Sequence, residues 1–181
     1  MLRPEVFVKL PAKKAYSYPI YIGQNLLSEC SKWLAPLVSS KKIVILTDEV
    51  VCRLYARNFA ATLENQGYDV LLLSFAPGEQ SKSYAKFEHL LDEMLCHRCD
   101  RHSLCIAFGG GVVGDIAGFV SAVFMRGIRY IQIPTTVLSM IDSSVGGKTA
   151  INSEYGKNLI GAFYQPNAVI MDINLIESLP Q

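Results

Sequence analysis

The chain has almost no net charge: 17 lysine and arginine residues stand against 16 aspartates and glutamates, for a formal +1 at pH 7. That balance excludes the long-range field by which nucleic acid or an anionic membrane surface draws in a protein, so neither is expected as a partner. Long hydrophobic runs are also missing. Stretches such as Ile116 to Met125 are far too short for the roughly 20 helical residues that span a bilayer. The opening segment, residues 1–16, has no apolar stretch long enough for a secretory signal. Cysteine is scarce and odd in number, five in a chain large enough to fold without covalent staples. Such cysteines read as reduced thiols, and the expected location is the cytoplasm. Neither an internal repeat nor a low-complexity linker is present.

What is there is an ordinary globular composition, half hydrophobic and 18% charged, over 181 residues that suit one domain with a sizeable core. Glu5 to Leu10 and Tyr18 to Ile22 read as two strands around a Pro-Ala-Lys-Lys turn, an N-terminal β-hairpin. Asn25 to Val38 carries helical spacing, with Leu26, Leu27, Cys30, Trp33, Leu34 and Leu37 on one face. Ile43 to Leu46 and Val70 to Phe75 have the apolar form of strands buried on both sides. Val50 to Asn65 between them is helical, and Gly67 stands where a helix commonly ends in the left-handed conformation. A helix from about Tyr84 to His97, a strand Leu104 to Phe108, a helix Val112 to Met125 and a strand Arg129 to Ile133 follow. Beyond Pro134 the periodicity weakens and a loop-rich surface carrying chemistry is expected, before a last strand from Asn167 to Asp172. The alternation predicts an α/β fold with a Rossmann-like, mostly parallel sheet and flanking helices.

Gly109, Gly111 and Gly114 satisfy the spacing G-x-G-x-x-G between a strand and a helix. Glycines there let the backbone approach a pyrophosphate, and the free amides of the helix N-terminus donate to it. The same spacing also serves a tight turn with close helix–sheet packing. No acidic residue occupies the usual place about 20 positions on, where Ile128, Arg129 and Tyr130 stand. The nearest suitable acid is Asp48, at the end of the strand containing Ile43 to Leu46. As a neighbour of the glycine turn it would accept hydrogen bonds from an adenosine ribose and repel the extra phosphate of NADP. It also suits the N-cap of the next helix, and the two roles are compatible.

Two other patterns mislead. Asp142 to Thr149 ends like a phosphate-binding P-loop, but its first glycine is replaced by Asp142 and no strand closely precedes it. Cys96 and Cys99 have metal-ligand spacing with His102 nearby, yet lack the second pair that a zinc site needs, so they read as packing or surface residues.

Taken together, four segments in this order resemble the 3-dehydroquinate synthase family: Pro77 to Lys82, Gly109 to Asp115, Gln132 to Thr136, and Asp142 to Pro166. The resemblance covers essentially the whole chain and corresponds to the family's N-terminal domain. It implies an enzyme that uses NAD and a divalent metal, zinc or cobalt, to cyclise a seven-carbon sugar phosphate. That reaction takes 3-deoxy-D-arabino-heptulosonate 7-phosphate to 3-dehydroquinate with loss of phosphate, through transient oxidation of a ring hydroxyl. Carried over by motif, the NAD contacts fall on Asp48, on Pro77, Gly78, Glu79, Gln80, Ser81 and Lys82, and on Gly110, Gly111, Val112, Val113, Gly114 and Asp115. Thr135 and Thr136 join them, with a further cofactor segment at Leu175, Ile176, Glu177 and Ser178. Substrate-side roles fall on Asp142, Lys148, Lys157 and Asn158, the two lysines also counting toward the cofactor. Lysines and an amide suit the clamping of a carboxylate or phosphate, though two solvated surface lysines would look the same. Arg126 matches an arginine that reaches the neighbouring subunit's phosphate site, which implies a homodimer; a surface arginine after a helix end is the plainer reading.

The resemblance places the metal ligands, one glutamate and two histidines, beyond Gln181, and His89, His97 and His102 match none of them. The chain therefore reads as a first half, expected to lack the helical metal and substrate domain and to be inactive alone. Two readings stay beside this one: another sugar phosphate cyclase of the 2-deoxy-scyllo-inosose synthase kind, and a stand-alone NAD-binding module. A related polyol dehydrogenase is disfavoured by the Gly-Gly-Lys-Thr and Gly-Lys-Asn segments.

Overall fold

The computed structural model describes residues 16–179. Strand β1 (Ile20–Gly23) leads to a short helix α1 (Cys30–Leu34) and then β2 (Lys42–Asp48). Helices α2 (Glu49–Val51) and α3 (Arg57–Asn65) are joined by a π-helical turn, Cys52–Ala56. Strand β3 (Asp69–Phe75), a 3-10 turn at Glu79–Ser81, α4 (Tyr84–Cys96), β4 (Leu104–Gly109), α5 (Gly111–Val123) and β5 (Arg129–Pro134) follow. A second π turn, Ser139–Ser143, precedes β6 (Lys148–Ser153) and β7 (Gly156–Phe163); β8 (Ala168–Asp172) and a 3-10 turn, Ile173–Ser178, complete the described chain.

Six strands form one parallel sheet in the order β1-β8-β5-β4-β2-β3. The central strands are apolar on both sides because helices cover both faces. In β2, Val44 and Leu46 enter a core with Phe87, Leu90 and Met94 of α4 and Ile116, Ala117 and Val120 of α5. Its alternate residues Ile43 and Ile45 face the other way, toward Trp33 and Leu34 of α1 and Phe59 and Leu63 of α3. The chain runs outward from β2 to β3 and then returns to β2's other side with β4. This reversal opens a crevice at the carboxyl ends of β2 and β4, where open α/β sheets bind ligands.

Four expectations need adjustment. The first strand of the N-terminal hairpin lies outside the described residues, and its second strand, β1, pairs in parallel with β8. The helix read over Asn25 to Val38 contracts to α1. Its apolar spacing holds, with Cys30, Trp33 and Leu34 buried and Leu26, Leu27, Leu37 and Val38 packed beside them, but short irregular turns supply most of those contacts. The helix read as far as Met125 stops at Val123, because Met125, Arg126 and Gly127 all take positive φ (50°, 66° and 118°). The region after Pro134 is not mainly loop: β6 and β7 form an antiparallel hairpin packed over α5. All eight residues of β7 are partly or wholly exposed, polar, apolar and glycine in mixture, so its sequence lacks the alternation by which strands are read. Gly67 does adopt the left-handed conformation (φ 85°) after α3. No helix among the described residues is long and apolar enough to cross a membrane.

The hairpin sits tightly on its supports. A Cβ at Gly161 would overlap the backbone carbonyl oxygen of Thr149 across the β6–β7 ladder, and one at Gly118 of α5 would strike the Thr149 side chain. Backbone cannot swing aside as a side-chain tip can. Gly161→Ala is therefore expected to lower stability by about 1–3 kcal/mol, the usual cost of overpacking, read as a reduced urea midpoint with an unchanged m-value.

Candidate functional site

The crevice at the sheet reversal is a cleft of about 350 Å³. One side is the glycine turn, Gly110 to Val113, at the start of α5; opposite stand Asp48 and the apolar residues Val50, Val51, Leu54 and Tyr55. Pro77 and Gly78 after β3, Thr135 and Thr136 after β5, and Ser178 and Leu179 complete the lining. Gly110 is the N-cap of α5 and offers no side-chain cap, so the first amides of a 13-residue helix point at the cleft without an internal acceptor. The approach is close. A Cβ at Gly110 would come 3.3 Å from the Thr136 methyl, and one at Gly111 would come 3.2 Å from Ser143 Oγ. Thr135 ties the rim to the turn by donating its amide to the Gly109 carbonyl at 3.0 Å.

Asp48 fulfils the capping role: its Oδ1 accepts from the amides of Val50 (2.8 Å) and Val51 (2.9 Å). Both bonds fall on one oxygen, and the residue still lines the cleft, so capping does not use up the carboxylate. Leu54 and Tyr55 are site residues that the sequence reading missed. A uniform α-helix over Val50 to Asn65 gives no sign of the π turn that presents both to the cleft.

A second pocket, about 590 Å³, lies between the π turn at Ser139–Ser143 and the β6–β7 hairpin. Asp115, Asp142, Lys148 and Asn158 line it, so α5 borders the first cleft through Gly111 to Val113 and the second through Asp115. Two glycines with positive φ, Gly146 (112°) and Gly147 (71°), turn the chain into β6. Lys148 is thus the first residue of a strand, in a geometry unlike a P-loop.

Beside the second pocket, through Asp115 and Asn158, lies a polar junction centred on Lys82; Lys82 and Glu79 themselves line neither pocket. Only 3% of the Lys82 side chain is exposed, yet its ammonium pairs with Asp115 Oδ2 at 2.7 Å, donates to Asn158 Oδ1 and lies 3.7 Å from Glu79 Oε1. Burial pushes the Asp115 carboxyl above the ordinary aspartate value, against the lowering pull of Lys82. Glu79 moves the other way: a hydrogen bond from Asn152 and the nearby charge of Lys82 outweigh its small desolvation and hold it below the ordinary glutamate value.

The remaining candidates are scattered. Gln80 and Ser81 belong to the 3-10 turn before Lys82, and Gly114 packs against Gln132, whose Oε1 would lie 3.1 Å from an added Cβ. Lys157 is exposed on β7 and lines neither pocket, although its charge reaches Glu79. Leu175 is a buried core residue, while Ile176 and Glu177 lie outside both pockets. Arg126 is exposed and apart from both. Cys96 is exposed and Cys99 buried; all five thiols are free, and burial pushes Cys99 up to about 11. Among the described residues no group of three or more His, Cys, Asp or Glu could hold a metal ion.

Removing the ammonium of Lys82 leaves Asp115 beside an emptied, solvent-poor position. Lys82→Ala is expected to cost on the order of 3 kcal/mol in chemical denaturation, and Lys82→Met nearly as much despite its similar volume. Because the folded-state pKa of Glu79 is depressed, its charged form adds stability above the unfolded value that is lost as pH falls through the carboxylate range, below about pH 4. Glu79→Gln should flatten that part of the acid dependence in a pH series of denaturation midpoints.

The family model described as 3-dehydroquinate synthase N-terminal matches residues 72–181. Curated 3-dehydroquinate synthases of Desulforamulus reducens and Pseudomonas aeruginosa (strain LESB58) are 47% and 46% identical over 165 and 164 residues, each covering 91% of this chain. The matched regions are 46% and 44% of those proteins, so the chain spans about half the length of the curated relatives it matches. Among solved structures, the 2-epi-5-epi-valiolone synthase of Streptomyces hygroscopicus, with NAD+ and Zn2+ bound, superposes with a TM-score of 0.84. It is 29% identical, over 95% of this chain and 47% of its own. A 2-deoxy-scyllo-inosose synthase complexed with carbaglucose-6-phosphate, NAD+ and Co2+ gives 0.82 at 27% identity, over 89% of this chain and 43% of its own. The glycerol dehydrogenase of Schizosaccharomyces pombe, 22% identical with a TM-score of 0.71, shares the fold. The glycine turn, the buried lysine junction and the hairpin that bears Asn158 all fall inside the matched region, and the chain belongs to the 3-dehydroquinate synthase family.

Proposed function

We propose that this chain is the NAD-binding half of a 3-dehydroquinate synthase, and that the whole protein converts 3-deoxy-D-arabino-heptulosonate 7-phosphate to 3-dehydroquinate with release of phosphate. The carrying observation is the pairing, across one cleft, of an uncapped glycine-rich helix N-terminus with the carboxylate of Asp48. The amides of α5 suit the pyrophosphate, and Asp48 suits a ribose diol, whose hydroxyls donate to a carboxylate oxygen. The apolar wall of Val51, Leu54 and Tyr55 suits a flat aromatic base. When bound, NAD supplies reversible acceptance of a hydride. The chain's own residues orient the reactants: Lys148 and Asn158 line the adjoining pocket, where an ammonium and an amide would hold the anionic groups of a sugar phosphate.

For the divalent metal no fitting set of ligands exists among the described residues. In this reading the ligands belong to the remainder of the full-length enzyme, and the isolated chain is inactive. The exposed apolar side chains of Leu138, Ile141, Leu159 and Phe163 suit a face against which further polypeptide seats. Arg126, exposed on its strained turn, would serve the phosphate site of a second copy in a homodimer. The cytoplasm is the compartment that suits five free thiols. The higher identity to 3-dehydroquinate synthases than to the other cyclases favours the heptulosonate substrate; offering the intact enzyme each sugar phosphate separates them.

The chain is expected to bind NAD saturably in a calorimetric titration, with NADP clearly weaker. Absence of any heat at millimolar NAD would sink the assignment of the cleft. Asp48→Ser retains a good N-cap but removes the charge. It should leave the denaturation midpoint nearly unchanged, weaken NAD by about tenfold and narrow the gap to NADP.

A further inference from the structure

Asn152 belongs to neither pocket lining and has no role among those the resemblance implies within the Asp142 to Pro166 segment, yet it joins the two sides of the polar junction. Its Nδ2 donates to Glu79 Oε1 at 2.8 Å, its Oδ1 accepts the backbone amide of Asn158 at 2.9 Å, and its own amide donates to the Lys82 carbonyl at 2.7 Å. These contacts are made possible by a fault in the hairpin. The β6–β7 register, regular from Lys148↔Phe163 to Ile151↔Ile160, shifts between Ile151 and Ser153. There the single residue Asn152 of β6 stands against three of β7, Lys157, Asn158 and Leu159, so the extra residues of the bulge lie on β7. A bulge disrupts the ladder locally and bends the strand that carries it, and here the Asn152 amide spans from the bulged stretch of β7 to the 3-10 turn at Glu79–Ser81. Asn158, the residue whose amide it receives, has φ 58°, a left-handed conformation that an asparagine adopts at some cost and that needs support from its surroundings.

We infer that Asn152 is a positioning residue: through one amide group it fixes Glu79, which directly follows the Pro77–Gly78 wall of the first cleft, and the backbone of Asn158, which lines the second pocket, so that the two pockets keep one relative geometry. The inference rests on the proposed NAD and sugar phosphate reading of those pockets. An amide suits the task because it offers, on two separate atoms, a donor to the carboxylate and an acceptor to the peptide at the same time. Aspartate at this position would keep the acceptor but set a second negative charge against Glu79. Alanine would lose both bonds. The hydrogen bond from Asn152 is also the largest influence holding Glu79 below its ordinary pKa, which makes Glu79 a reporter that needs no ligand.

The test uses the full-length enzyme with Asn152→Ala and Asn152→Asp, and compares three readouts. NMR titration of the Glu79 carboxyl should move up in both variants. NAD affinity should fall about tenfold in the alanine variant and further in the aspartate variant. The third readout is a pair of double-mutant cycles: Asn152→Ala with Glu79→Gln read in NAD affinity, and with Asn158→Ala read in kcat/KM. If Asn152 acts through those two residues, each double variant loses little more than the corresponding Glu79 or Asn158 single variant. A merely structural asparagine would give multiplicative losses and an unmoved Glu79 titration, and that result overturns the inference. A wild-type enzyme that binds no NAD overturns the cleft assignment and this inference together. A wild type that binds NAD while Asn152→Ala matches it in affinity and in the Glu79 titration overturns this inference alone.

Discussion

A buried ammonium imposes the tightest constraint on this molecule. Lys82 is almost wholly removed from water, and a cation so placed is tolerable only with a full set of oxygen partners held at fixed positions. Those partners come from three separate stretches: Asp115 on the second turn of α5, Glu79 on the turn after β3, and Asn158 on the β6–β7 hairpin. Satisfying one charge therefore locks the glycine turn, the Pro77–Lys82 segment and the hairpin into a single arrangement. Hydrogen bonds from the hairpin back to the Lys82 carbonyl and to Glu79 repeat the same connection through neutral groups.

That lock explains why the two pockets lie where they do. The reversal of strand order creates the first cleft by topology alone, since neighbouring connections leave in opposite directions. The second pocket depends on the hairpin lying flat on α5, which requires glycines at 118 and 161, where side chains would otherwise meet Thr149. Two π turns finish the walls. Each widens a helical turn by one residue and so re-aims the side chains it carries, Leu54 and Tyr55 in one case and Asp142 and Ser143 in the other.

Asp48 shows how one side chain serves local structure and a site together. As an N-cap it steadies the helix that leaves β2, and the same placement at a strand's carboxyl end puts it beside the glycine turn. Parallel pairing of β2 with β4 makes the two ends adjacent although about sixty residues separate them in the chain. The opposite pKa directions of Glu79 and Asp115 carry the same lesson. Both contact Lys82, but the more exposed Glu79 gains from its hydrogen bond while the more buried Asp115 bears the cost of desolvation.

Local chemistry is what the sequence by itself determined. Short apolar runs specified β2, β4 and β5, glycine and aspartate specified the turn into α5 and the cap of α2, and the alternation of strand and helix patterns specified a parallel sheet. The motifs that carry the family resemblance were legible for the same reason: glycine, lysine and asparagine at fixed spacing encode backbone approach and charge within a few residues. The tertiary structure alone decided what depends on distant partners. The β6–β7 hairpin was illegible because its strands have neither alternation nor a continuous apolar run and are held by packing on α5. The π turns left no mark in the helical pattern, and α1 kept its buried face while losing most of its helix. Likewise Lys82 was legible as a motif residue on the cofactor side, but nothing in the sequence marks its ammonium as buried. Only the fold, by bringing Asp115 and Asn158 around it, makes it the charge on which the junction is built.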